Sequence, residues 1–321
     1  MSFGFESTTD EVLEGIDLTG KRAIVTGGSG GLGEETARGL AAKGAAVTIA
    51  CRDLAKGEEA ALKIRLSTGN DHVDVRALEL ADLASVRGFV KHYLDDHGHL
   101  DMLINNAGVM ACPLTRTAEG WELQFATNHL GHFLLTCLLA PALLARGPAR
   151  VVNLSSRGHQ LSAVDLEDPF YEHREYDKWA AYGQSKTANI LFSLGLEKRL
   201  GARGVHGLAV HPGGIQTELG RHLAESDIAA LMARAGIDDP AAFQAQFKTV
   251  TQGAATSCWA ATAPELEGRG GLYLEDCHIA GPAAETGLSD GYAPWAMDAA
   301  QAEGLWALSE RLVGETFDFA P

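Results

Sequence analysis

Cysteine is scarce and scattered in this chain: Cys51, Cys112, Cys137, Cys258 and Cys277 are five in number and include no CxxC pair. The odd count and wide spacing exclude a small disulfide-stapled fold and supply no zinc or dithiol motif, so a reducing, cytoplasmic setting is expected. Basic residues are also in short supply, with 26 Lys and Arg against 42 Asp and Glu and a formal charge of −16. That balance argues against general nucleic-acid or anionic-membrane binding, which needs a basic surface. No uncharged run approaches a transmembrane span. The N-terminal MSFGFESTTDEVLEG is acidic and lacks a basic start followed by an apolar stretch, unlike a secretory signal. No polar or proline-rich linker divides the chain, so residues 1–321 read as one domain. His92, His97 and His99 in KHYLDDHGHLD stand beside acids, but their spacing matches no metal-ligand motif, and no metal is expected.

What is present is a rhythm of short β-branched runs and longer amphipathic stretches. RAIVT, AVTIA, VDVRALEL, DMLIN, RVVNLS, VHGLAVH and GGLYLE read as seven strands. Helices are predicted between them at about Gly31 to Lys43, Ala55 to Leu66, Leu83 to Asp95, Trp121 to Leu144 and Trp179 to Leu200. Largely apolar strands alternating with helices imply an α/β fold with a single Rossmann-like, doubly wound parallel sheet of about seven strands, covered by helices on both faces. Ligands of such sheets lie beyond the carboxyl ends of the strands.

IVTGGSGGLGEETARGL joins the first strand to the first helix, where helix amides can hold a pyrophosphate. Its glycines fit two patterns. Gly28, Gly30 and Gly33 spell GxGxxG, whereas Gly27, Gly31 and Gly33 spell GxxxGxG. A plain strand-to-helix turn is the alternative to either.

TGGSGGLG, NNAG, NHLGHF, NLSS, YGQSK and HPGGIQT occur in the order characteristic of short-chain dehydrogenases/reductases, and the resemblance covers at least Lys21 to Thr217. That family reads its loop as TGxxxGxG, which favours Gly27, Gly31 and Gly33. ACRD, a long insert before the tyrosine and SKTANILFSL resemble the retinol dehydrogenase-like branch and its bacterial relatives.

The four-residue spacing of Tyr182 and Lys186 puts a phenol and an ammonium on one helix face. A free tyrosine titrates near pH 10, and a lysine cation beside it and an oxidised nicotinamide are both expected to favour phenolate. The resemblance makes Tyr182 the general acid/base and gives Lys186 the nicotinamide ribose as a second task. It also implies that Ser156, the second serine of NLSS, orients the substrate oxygen, with Ser155 as the fallback, and that Asn128 completes the set by holding a water behind the lysine. His129 and His132 are assigned to packing. The interval of 26 positions between Ser156 and Tyr182 is long for the family, so about 157–180 reads as an insertion over the active site.

An acid at the end of the second strand would bind the ribose of NAD and repel the phosphate of NADP. Cys51 takes that position here and Arg52 follows with a permanent cation, so NADP(H) is preferred, with NAD(H) as the alternative that Asp53 would serve. By resemblance, Gly27, Ser29, Gly31, Leu32, Gly33, Arg52, Asp82, Leu83, Asn106, Ala107, Gly108, Tyr182, Lys186, Ile215 and Thr217 are the cofactor contacts.

The expected activity is hydride transfer between a nicotinamide and a carbonyl or alcohol carbon, on a small-molecule substrate that is bulky or partly apolar. The insert and an elaborated C-terminal region at about 219–321 are expected to shape its pocket. A homodimer or homotetramer is expected through the two long helices. A nicotinamide-sensing regulatory protein and an extended-type epimerase or dehydratase are the competing readings; the full Asn/Ser/Tyr/Lys set counts against the first and the loop pattern against the second.

Overall fold

Valine, isoleucine and alanine fill the strands because both faces of the sheet are covered, and every position of the sixth strand is buried. The computed structural model describes residues 3–220, 223–284 and 288–319. Its strands are β1 (Arg22–Thr26), β2 (Ala46–Cys51), β3 (Val73–Ala77), β4 (Met102–Asn105), β5 (Ala149–Leu154), β6 (Val205–His211), β7 (Gly214–Ile215), β8 (Phe247–Lys248), β9 (Leu272–Glu275) and β10 (His278–Ile279). Eight of them form one sheet in the order β10-β9-β6-β5-β4-β1-β2-β3, while β7 and β8 pair separately. The sheet is parallel except for β10, which returns antiparallel to β9 through a tight turn at Asp276 and Cys277. The expectation of about seven parallel strands therefore misses one short edge strand. VDVRALEL contributes only its first five residues to β3.

Helices α1 (Thr9–Val12), α2 (Gly31–Ala42), α3 (Leu54–Thr68), α4 (Leu83–Asp96), α5 (Leu123–Phe125), α6 (Gly131–Leu143), α7 (Lys178–Leu200), α8 (Glu225–Ala235), α9 (Pro240–Gln244), α10 (Val250–Thr262) and α11 (Ala299–Val313) surround the sheets. One face of the large sheet is packed by α1, α2, α3 and α10, with Leu40, Ile64 and Trp259 in its core. The other is packed by α4, α6, α7 and α11, with Phe89, Phe133, Phe192 and Trp306. Aspartates start several helices: Asp53, Asp82, Asp177 and Asp298 each accept backbone N–H groups of the following turn. The helix expected over Trp121 to Leu144 begins instead at Leu123 and passes through a π-helical turn, Ala126–Leu130, before α6. The five helices read from the sequence leave out α1, α8, α9, α10 and α11. α11 stacks on α7, with the Arg199 guanidinium 3.9 Å from the centre of the Trp306 ring. Among the described residues, no helix is long and apolar enough to cross a membrane.

Candidate active site

The turn after β1 shows why it carries so many glycines. Gly27 and Gly31 have φ of 65° and 55°, the left-handed region that disfavours side chains. A Cβ at Gly33 would overlap the Gly27 carbonyl oxygen and lie 2.5 Å from Asn106 Nδ2. Gly30 is different, since its backbone is extended and a Cβ there meets open space. Gly28 also lacks the left-handed conformation, although a Cβ would press on Ile49. The backbone thus demands glycine at the GxxxGxG positions and leaves Gly30 of the GxGxxG pattern unconstrained. Gly30 caps α2 and has no side chain to cover the helix amides, so their positive end faces outward. Such a cradle fits a pyrophosphate.

β2 ends at Cys51, as the register of its pairing with β3 shows. Arg52 follows with an exposed side chain whose guanidinium stands 3.5 Å from Glu79, a weak surface pairing. Asp53 is engaged as the cap of α3, accepting from the Lys56 N–H at 3.1 Å. Ser29 is half-buried near the Cys51 thiol, which burial pushes above its ordinary pKa against the opposing hydrogen bond from Ser29. Asp82 caps α4 through the Ala84 and Ser85 N–H groups, beside the half-buried Leu83.

At the end of β4, Thr26 secures the segment Asn106 to Gly108. Its hydroxyl accepts from the Asn106 and Ala107 N–H groups at 2.9 and 3.0 Å, and Asn106 Nδ2 donates to the Thr26 carbonyl at 2.8 Å. His132 Nε2 lies 2.9 Å from the same hydroxyl and its Nδ1 lies 3.0 Å from the Asn128 carbonyl. Burial first, and to a lesser degree the Lys186 cation, lower its pKa to about 4, so the ring is neutral and structural. His129 is likewise buried, held by Ser309, with its pKa lowered to about 3.

Asn128 sits in the π turn, where the widened helix presents it toward the strand ends. Its Oδ1 accepts from the Val109 N–H at 2.8 Å, and its Nδ2 donates to the Val109 carbonyl and the Ser185 hydroxyl, each at 2.9 Å. The two serines after β5 point different ways. Ser155 donates to the Lys186 carbonyl at 2.9 Å and is buried. Ser156 caps the short 3-10 turn Arg157–Leu161 by accepting the Gly158 N–H at 3.0 Å, and Gly158 lies between its hydroxyl and the Tyr182 ring.

On α7, Tyr182 and Lys186 share a face, with the Lys186 ammonium 5.6 Å from the centre of the phenol ring and bonded to the Leu154 carbonyl at 2.9 Å. Burial pushes the phenol up to about 12, partly opposed by Ser156, and pulls the ammonium down to about 8. Among this chain's own groups, desolvation of the phenolate outweighs the lysine cation at this distance, so the phenol is raised rather than lowered.

The loop after β6 closes the far side. Thr217 faces Gly31, while Ile215 and Leu32 both press on Gly253 of α10. Gly27, Gly31, Leu32, Gly33, Asn106, Ala107, Gly108, Ile215 and Thr217 are thus gathered at the carboxyl edge of the sheet, and Asn128, Ser156, Tyr182 and Lys186 stand beside them. Arg52, Asp82 and Leu83 flank this group at the ends of β2 and β3. Sequence reasoning passed over Thr26, Ser185, His159 and Trp179, although Thr26 and Ser185 lie inside TGGSGGLG and YGQSK. His159 is buried, bonded to the Ser156 carbonyl at 2.6 Å and accepting the Ala293 N–H at 3.0 Å, so it ties the turn Arg157–Leu161 to the segment at Ala293. Among the described residues, no group of His, Cys, Asp and Glu is arranged to hold a metal.

The family model for short chain dehydrogenases matches residues 21–228. The chain belongs to the short-chain dehydrogenase family. It is 44% identical over 299 residues to retinol dehydrogenase 12 of Homo sapiens, covering 93% of this chain and 88% of that one. Among solved structures, an uncharacterised protein from Mycobacterium Paratuberculosis matches with a TM-score of 0.73 and 35% identity over 98% of this chain and 100% of that chain. The RhlG/NADP active-site complex of Pseudomonas aeruginosa matches with a TM-score of 0.60 and 26% identity over 81% of this chain and 95% of that chain. As a retinol dehydrogenase-like member, the protein is an NAD(P)-dependent oxidoreductase acting on alcohol or carbonyl groups.

Proposed function

We propose that this oxidoreductase prefers NADP(H) and uses Tyr182 as general acid/base on a bulky or partly apolar carbonyl or alcohol. The observation that carries the catalytic part is that Ser156 and Tyr182 flank Gly158 at the carboxyl edge of the sheet, with the Lys186 ammonium 5.6 Å from the centre of the phenol ring. Two donors converging on one oxygen polarise a carbonyl and neutralise the alkoxide that forms from it. When bound, the nicotinamide supplies or accepts hydride at the substrate carbon. In reduction, Tyr182 delivers the proton from its hydroxyl to the substrate oxygen, and Ser156 holds that oxygen in line. Lys186 then stabilises the phenolate left behind, and Asn128, fixed through Val109 and Ser185, keeps the relay behind the lysine in place. Oxidation runs through the same groups in reverse.

The glycine turn would hold the pyrophosphate, and Lys186 with the segment Asn106 to Gly108 the nicotinamide half. Arg52 supports the NADP(H) preference, because it is exposed at the end of β2 while Asp53 is occupied as a helix cap. The NADP complex of the Pseudomonas relative is in keeping with it. We further propose that the chain acts as one cytoplasmic domain, with the insertion at 157–180 and the region 219–321, as far as it is described, shaping the pocket. Assembly into two or four copies would pair the helices over 121–144 and 179–200; a concentration-independent mass near 34.0 kDa by light scattering would overturn it.

The test is a panel of aldehydes, ketones and secondary alcohols assayed with both nicotinamide cofactors. Turnover that prefers NADP(H) supports the proposal. Cofactor binding without any turnover would favour a regulatory sensor instead.

A further inference from the structure

The indole N–H of Trp179 is buried and meets no hydrogen-bond acceptor. Folded proteins seldom leave such a donor unmet in their interior unless something else completes it. Trp179 precedes Tyr182 by one turn of α7, and these two with Ala111 form a small apolar cluster. Four side chains that are only partly buried pack on it: Met110, Leu161, Leu223 and Leu231. The reacting phenol therefore lies under an apolar wall that is still reached by solvent. The nearby charges are already matched, since Lys178 pairs with Asp227 at 2.5 Å and Arg234 with Asp177 at 2.7 Å, fastening α8 to the start of α7.

Resting on the reading that Tyr182 protonates the reacting oxygen, we infer that Trp179 is a specificity residue whose Nε1–H binds a second, neutral oxygen of the substrate, an ether, ester or ketone a few bonds from the carbonyl that is reduced. Three features define that chemistry. The indole nitrogen can only donate, so its partner must be an acceptor. Among the described residues the wall offers no free cation, and a carboxylate buried there would lose its hydration without compensation. Positions three apart on a helix hold their Cβ atoms about 5–6 Å from each other, which brings both contacts within one small molecule. Leu223 and Leu231, which pack on the cluster from the α8 region, would cover the apolar remainder.

The test uses a series of alkan-2-ones and their isosteres in which an ether oxygen replaces one methylene at increasing distance from the carbonyl. Consumption of NADPH gives kcat/KM for each pair with the wild type, with Trp179→Phe, and with benzothienylalanine placed at position 179, which keeps the bicyclic shape but has sulfur in place of N–H. The wild type should prefer one ether over its alkanone. Both variants should lose about five- to tenfold of that preference, the extra loss falling on the ether member of the pair whatever each variant does to the plain alkanone. Electronic effects of the ether cancel in this ratio. If Trp179→Phe fails to fold, the sulfur isostere decides alone. Equal losses on both members of the pair, or no loss on either, overturn the inference. A folded wild type that binds NADPH but turns over neither series overturns the catalytic reading beneath it, and this inference with it.

Discussion

Lys186 reaches from α7 to the last residue of β5, where its ammonium donates to the Leu154 carbonyl at 2.9 Å. The contact places the cation behind the phenol of Tyr182 in a buried setting that lowers its pKa from 10.5 to about 8. Below pH 8 both folded and unfolded chains carry this proton. Between about pH 8 and 10.5 the unfolded chain holds it and the folded one does not, so stability rises with pH, by up to about 3 kcal/mol. Lys186→Met should abolish this rise. Urea unfolding of the cofactor-free protein from pH 7 to 9.5 measures it, and identical slopes in the two proteins would refute the assignment. Tyr182 acts in the opposite sense only above pH 10, where its buried, raised pKa makes the unfolded chain the first to ionise.

Tyr182→Phe removes the phenol hydroxyl and leaves the ring in its cluster with Ala111 and Trp179. Turnover should fall by about 10²–10⁴-fold, the range typical of losing a general acid/base. The dissociation constant for NADPH, followed by fluorescence titration, should change by less than about threefold. Near-normal turnover would remove Tyr182 from the mechanism.

The glycine turn makes a contrasting pair. Gly33→Ala drives a methyl into the Gly27 carbonyl and Asn106, whereas Gly30→Ala adds one in open space on extended backbone. Overpacking of this kind costs about 1–3 kcal/mol, so thermal melts should show a clear loss for Gly33→Ala and almost none for Gly30→Ala. Gly33 belongs to both patterns, so a loss for Gly30→Ala as large as that for Gly33→Ala would restore the GxGxxG reading.

Arg52→Ala should weaken NADPH by about tenfold or more and leave NADH within about twofold, because only NADPH offers the extra phosphate to a guanidinium. Asp53→Ala should instead lower stability by about 1 kcal/mol through the lost cap of α3, without a selective effect on NADH. Equal losses for both cofactors on removing Arg52 would contradict the preference.

Much of the site was legible because it depends on local spacing. A helix period brings Tyr182 and Lys186 to one face wherever the helix lies. Apolar runs bounded by glycine mark β1, β2 and β4 to β6 whatever they pair with. The C-terminal third was harder to read. α10 and α11 are buried by the sheet and by α7, partners far away in the chain, and their small or mixed residues give a weak local signal. The antiparallel edge strand β10 has two residues, too few for any pattern.

By itself the sequence determined the order of elements and the chemical groups available, since both follow from short-range periodicity and residue type. Tertiary structure alone decided how those groups are tuned. Gly33 must be glycine because the Gly27 carbonyl and, from far along the chain, Asn106 both fold against it. Ser156 rather than Ser155 faces the phenol because the backbone turns after β5, sending Ser155 to the Lys186 carbonyl. The pKa values of Tyr182 and Lys186 move apart because burial is a property of everything packed around them, and desolvation of a charge is set by that whole surrounding rather than by its neighbour on the helix.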